Sequence, residues 1–287
     1  MPVLASDRAF RVTAALLFAG SVAATIAWSG AMSAMGGVPM PGRWSLSMAW
    51  MPVCGSTWPA TAAAFLGMWS AMTAAMMLPV LVPQLQDYRR ALAPTHQGRH
   101  DGLTALAGLG YFAVWLLLGV AVFPLGAAAA AIAIASPSLA RAVPLAAGIV
   151  VIGAGTWQFT AWKARRLACC REDPDCCRLL PADARTAWRH GLRLGRDCCL
   201  CCADLTLVLL VLGAMDPAAM TAVAAAVIVE RRAKDGARAA GGVGLGIIAL
   251  GLVLILRAGG SGVLFVEQTA GDGVHASHPS LIVPPGL

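Results

Sequence analysis

Between Val12 and Leu256 the chain returns seven times to an apolar run of sixteen to twenty-three residues, and that recurrence decides its class. A bilayer core of about 30 Å is crossed by ~17–25 helical residues. The runs predict spans at 12–28, 60–82, 103–123, 142–162, 198–215, 217–232 and 239–256. In hydrocarbon every backbone N–H and C=O must find its partner inside the chain, so runs this apolar predict a helical bundle. Only 12% of the residues are charged, against roughly 25% in a soluble protein. The expected fold is all-α, a polytopic transmembrane helix bundle of six to seven spans. It forms one domain over 1–257, with a flexible Gly- and Pro-rich tail over 258–287. Abundant Ala and Gly fit helices that pack closely in lipid. A signal peptide competes for the first run, because small residues follow it at Ser29 to Ala34.

Two spans rather than one are read from Ala203 to Val229, because Asp216-Pro217 interrupts that run and an Asp-Pro pair is a turn signal. Charge supports the division. With seven spans, 18 of the 21 Lys and Arg fall on one side: two in the N-terminus and three, nine and four in successive loops. Positive loops stay in the cytoplasm, which predicts a multi-pass protein of a bacterial inner membrane with its N-terminus inside. The net charge of +7 is thereby absorbed by loops, and a nucleic-acid partner is not expected. The expected partners are the lipid bilayer and a protein that donates or accepts metal.

The chemistry concentrates at Asp197-Cys198-Cys199-Leu200-Cys201-Cys202, four of nine cysteines in five positions beside an apolar run. Cys198 lies three and four residues from Cys201 and Cys202, which puts thiols on one helix face. Cys199 is turned about 100° from Cys198 and is the dispensable member. Eight cysteines would face a reducing compartment, where thiols bind metal or do redox work more often than they form lasting disulfides. Cys170, at the inner end of the fourth span, is a further ligand candidate. Asp204, an acid within a span, is expected to couple to the thiols, since acids in lipid are costly and tend to be functional.

Soft thiolates and thioethers suit Cu(I). Two or three ligands satisfy that ion, whereas a structural Zn(II) wants four, so copper is the expected metal and zinc the alternative. Met68, Met72 and Met76 recur at helical spacing in the second run, and Met77 joins Trp69 and Thr73 on a neighbouring stripe. Met72, Met76 and Met77 are metal candidates there, with packing as the competing role. Met32, Met35, Met40, Met48 and Met51 crowd the segment 30–59, where they serve either as soft ligands or as an interfacial layer. No phosphate-binding Gly-x-x-x-x-Gly-Lys loop, Asp-Lys-Thr-Gly or His-Glu-x-x-His occurs, which disfavours an ATP-driven pump and a zinc protease. An enzyme is not the favoured class. A thiol-disulfide oxidoreductase cycling Cys198 or Cys199 with Cys202 or Cys170 is the alternative, and a structural subunit with incidental thiols the third.

Three patterns together resemble a known family. Trp69-x-x-Met72-x-x-x-Met76-Met77-x-Pro79-x-x-x-Pro83, Gln158-x-x-x-x-Lys163 followed by Cys170, and Cys198-x-x-Cys201-Cys202 are similar to motifs of bacterial predicted metal-binding integral membrane proteins. That family is of unknown function and is sometimes labelled copper chaperone. The similarity runs from about Met48 to Leu256 and implies a membrane bundle handling copper. Relatives carry His where this chain has Asp197 and a Cys near Arg166, which implies an altered ligand set here.

Overall fold

In a computed structural model, residues 2–42, 44–52, 55–92, 97–171, 181–213, 216–233 and 235–271 are described. Side chains at 2–6, 97–99, 169–171 and 259–271 lie outside the description. The described chain is all-α apart from one short hairpin. Its helices are α1 (Pro2–Met35), α2 (Trp58–Ala91), α3 (Gln97–Ala135), α4 (Pro137–Trp157), α5 (Ala161–Arg171), α6 (Ala184–Cys201), α7 (Ala203–Leu212), α8 (Pro217–Arg232) and α9 (Gly236–Gly271). Five of them, α1, α2, α3, α4 and α9, contain stretches long and apolar enough to cross a membrane. α7 and α8 are shorter, at 10 and 16 residues.

Several helices outrun their expected limits. α2 continues through Pro79 and Pro83 to Ala91, and α3 through Pro124 to Ala135. Proline removes one backbone donor, but long helices packed against neighbours absorb that loss. α9 likewise extends past 256 to Gly271, while residues 272–287 of the expected tail lie outside the described residues.

Two breaks fall where local chemistry dictates them. Asp216 caps α8, its carboxylate accepting from the amides of Ala218 and Ala219, with Pro217 at the first helical position. That is how an Asp-Pro pair starts a helix. Gly213, at φ +116°, closes α7 on the other side of the turn. The second break is at Cys202, whose φ of −103° and ψ of 8° divide α6 from α7. The cysteine motif therefore straddles a helix junction, and the helix of the fifth expected span starts after Cys202 rather than at Cys198.

β1 (Gly37–Met40) and β2 (Trp44–Ser47) pair antiparallel, Val38 opposite Leu46. The indole of Trp44 donates to the carbonyl of Ala140 at 2.9 Å, tying the hairpin to the start of α4. At the opposite end Arg89 of α2 reaches Asp101 of α3 at 2.6 Å and Asp7 of α1 at 3.7 Å, and stacks over Phe10. α1 lies along α2, α4 along α9, and α6 along the first half of α3. The core runs down α2, from Phe65, Met68 and Trp69 to Leu85 and Tyr88.

Candidate metal centre

α6 reaches its place because glycine lets it. A methyl built on Gly110 would stand 2.8 Å from the carbonyl oxygen of Trp188, and one on Gly195 would stand 2.7 Å from that of Tyr111. Gly191 is seated against Ala107 in the same way. Small residues bring helix backbones together, and here they bring the last turn of α6 over Tyr111. Tyr111 is fully buried, and its hydroxyl donates to the sulfur of Cys198 at 3.0 Å. On the other side the same Sγ lies 3.9 Å from Sδ of Met77.

The thiol of Cys202 interacts in turn with those of Cys198 and Cys201. The sulfurs of Met77, Cys198, Cys202 and Cys201 thus follow one another as a chain. Their residues are at most 2% exposed. Cys199 is only half-buried, and all four cysteines are free thiols. Met72 and Met76 are buried higher on α2, at 1% and 7% exposure. Cys170 lies on α5, but its side chain is outside the described residues. Cys54, Cys176 and Cys177 also fall outside them.

Beside the sulfurs is a buried ionic cluster. Lys163 Nζ donates to Asp204 Oδ1 at 2.9 Å and Oδ2 at 3.2 Å, and to the carbonyl of Cys201 at 2.7 Å. It also pairs with Glu230 Oε2 at 3.1 Å. Gln158 Nε2 completes the set by donating to Glu230 Oε1 at 2.7 Å. Burial works against the Lys163 ammonium, but the two carboxylates outweigh it and hold the pKa above the ordinary lysine range. The carboxylate of Asp204, expected to couple to the thiols, faces this ammonium, which also holds the Cys201 carbonyl. The charges of Lys163 and Arg231 both bear on Cys202. Two cations near a sulfur offset the charge that it carries once it binds metal as thiolate.

Sequence reasoning missed Glu230, Tyr111 and Arg231. Glu230 precedes Arg231-Arg232 and reads as the edge of a basic loop, although it is only 2% exposed. Gln158 and Lys163 were visible only through the resemblance. The two departures from the family pattern, Arg166 and Asp197, are neighbours in space, 3.8 Å apart as an ion pair.

Among the described residues no group of three or more His, Cys, Asp or Glu side chains is gathered to hold a metal ion. The four-ligand set of a structural zinc is thus not assembled there. What is present is a run of soft donors with a thioether at its head. With metal–sulfur bonds of about 2.3 Å, two donors of a three-coordinate ion lie ~4 Å apart. Met77 and Cys198, at 3.9 Å, meet that spacing.

A model of the PpoB2 copper chaperone family matches residues 66–254. The chain belongs to that family. The match takes in α2 from its third turn, the Gln158–Lys163 segment, the cysteine junction and α8, so every residue of the sulfur chain and the ionic cluster lies inside it. No curated protein and no solved structure matches the chain.

Proposed function

We propose that this protein is an integral protein of a bacterial inner membrane that binds Cu(I) through Cys198, Cys202 and Met77, with Cys201 as the next donor. It hands the ion to or from a partner protein in the course of moving it across the membrane. One observation carries the reading: a free, buried thiol stands between a thioether at 3.9 Å and a tyrosine hydroxyl at 3.0 Å, in a copper chaperone family. Soft sulfur donors select Cu(I), and burial keeps water and competing hard ions away. The ion is cargo, so a short chain of donors suits it better than a closed four-ligand cage.

The seven-span arrangement belongs to this proposal. The span over 198–215, made of the last turn of α6 and α7, and the span of α8 turn at Asp216, which leaves Arg231 to Arg238 with Arg89, Arg90, Arg165 and Arg166 on the cytoplasmic side. The hairpin then faces outward. In a cysteine-free background, an impermeant thiol reagent should label a cysteine placed at Ser45 from outside and spare one placed at Arg238. The opposite pattern overturns the orientation.

The site itself is tested by anaerobic Cu(I) titration against a competing chelator in the purified full-length protein. Cys198→Ser and Cys202→Ser should each abolish tight binding, and Cys199→Ser should leave it unchanged. Undiminished tight binding in a variant lacking all four cysteines from Cys198 to Cys202 overturns the assignment. A mixed disulfide with a partner, trapped when either Cys198 or Cys202 is removed, with no bound copper, would replace it with the oxidoreductase.

A further inference from the structure

At the hairpin end of the molecule a cavity of about 180 Å³ is lined by five methionines: Met32 and Met35 from α1, Met48 and Met51 from the segment after β2, and Met68 from α2. Methionine that serves as filler closes the gap beside it. These five, from three separate parts of the chain, instead line a gap left open, several times the ~30 Å³ that a water occupies in the liquid. Met68 is 2% exposed and forms the deep side, whereas Met35 is 52% exposed at the rim. The thioethers therefore run from surface to core.

From Met68 the sulfurs continue along α2. Met72 and Met76 follow at one-turn steps of about 6 Å, each buried. Met77, one residue further, touches Cys198. Nine residues, ~14 Å of helix, separate the cavity from the thiols. Thr73, on the stripe of Met77, keeps a buried hydroxyl with no hydrogen-bond partner.

We propose that the methionine cavity is a second, weaker Cu(I) site, and that Met72 and Met76 are the stepping donors between it and the thiol centre. Thioethers are neutral, so they bind the ion without displacing a proton and release it readily. Thiols release one proton for each thiolate formed and bind more tightly. Copper stays Cu(I) throughout; only its ligands change. The thiol end of this route rests on the function proposed above, but the cavity stands on its own geometry.

The test uses full-length protein with selenomethionine in place of methionine, so that Cu(I)–Se scattering reports thioether binding directly. The wild type should take up more than one equivalent of Cu(I), with selenium among the neighbours of the weaker equivalent. The variant with Ser at Cys198, Cys199, Cys201 and Cys202 should lose the tight equivalent and keep the selenium-bound one. Leu at Met32, Met35, Met48 and Met51, a near volume-conserving change, should remove the weak equivalent and leave the tight one. A four-serine variant that binds no Cu(I), or binds it without selenium neighbours, overturns the cavity site. Tight binding that survives loss of the cysteines would instead sink the thiol centre while leaving the cavity. Leu at Met72 and Met76 together should leave both sites loaded yet slow transfer from the weak to the tight one; an unchanged transfer rate overturns the stepping role.

Discussion

Along the α4–α9 seam, Gly148 faces Gly251 and Gly155 faces Gly244. A methyl on any of the four would come within 2.9–3.0 Å of the opposite carbonyl. Along the α3–α6 seam, Gly110, Gly191 and Gly195 make equally close crossings. The device is the same, but its consequences differ. Ile152, Ile248 and Ile255 fill the space round the first seam, which meets the site only at its Gly244 end, beside the Cβ of Gln158. The second seam ends on Tyr111 and Cys198, so its spacing fixes a hydroxyl–sulfur contact. Close packing by small residues holds the bundle together in one place and sets ligand geometry in the other.

The largest expected effect comes from neither seam but from the cluster between them. Removing the cation by Lys163→Met strands Asp204 and Glu230 as buried, unpaired carboxylates. Breaking a buried ion pair from one side typically costs ~3–5 kcal/mol. Thermal denaturation in detergent should show that loss, and most of it should return when Asp204→Asn and Glu230→Gln are added. Asp204→Asn alone leaves Lys163 paired with Glu230 and should cost much less. It should weaken copper binding, because Lys163 also holds the Cys201 carbonyl; unchanged Cu(I) affinity would confine Asp204 to structure.

The two seams are then separated by matched substitutions. Gly251→Ala and Gly195→Ala both overpack a helix crossing, at about 1–3 kcal/mol each. Only Gly195→Ala should lower Cu(I) affinity, since it alone pushes α6 away from Tyr111 and α2. Equal effects on affinity would mean that the α3–α6 crossing does not set the site. A smaller change isolates the contact: Tyr111→Phe removes one neutral hydrogen bond to sulfur, about 0.5–1.5 kcal/mol. It should alter copper affinity more than Tm.

The two regions were not equally legible in the sequence. Apolar run length announced helices, and Asp216-Pro217 announced the turn before α8, because both are local properties. The richness in Gly and Ala pointed to close packing, but which glycines meet depends on how helices pair, and spacing alone does not say. The cysteines stood out because four thiols in five residues is rare without chemistry. Glu230 did not, because its charge sits beside Arg231 and Arg232 and only the fold buries it against Lys163. Met77 was legible as one stripe among two, and its contact with Cys198 came from α2 and α6 being brought together. α2 and α3 run past their apolar stretches, because packing offsets the backbone bond lost at each proline.

The smallest expected effect lies at the start of α6, where the site seam begins. Asp183 caps that helix: its Oδ1 accepts from the Thr186 amide at 2.9 Å and its Oδ2 from the Thr186 hydroxyl at 2.7 Å. Those bonds, and the positive end of the helix, hold its carboxyl below the usual aspartate range. A carboxyl whose pKa falls on folding contributes stability above its unfolded value of about 3.9. That contribution drains away as pH drops through the lower folded value. Asn also caps a helix start, so Asp183→Asn keeps the geometry and removes the titration. At neutral pH the wild type should be slightly the more stable, and the gap should close on acidification below about pH 4. A gap that does not change with pH would mean that the charge contributes nothing, and α6 would then be placed by its glycines against α3 alone.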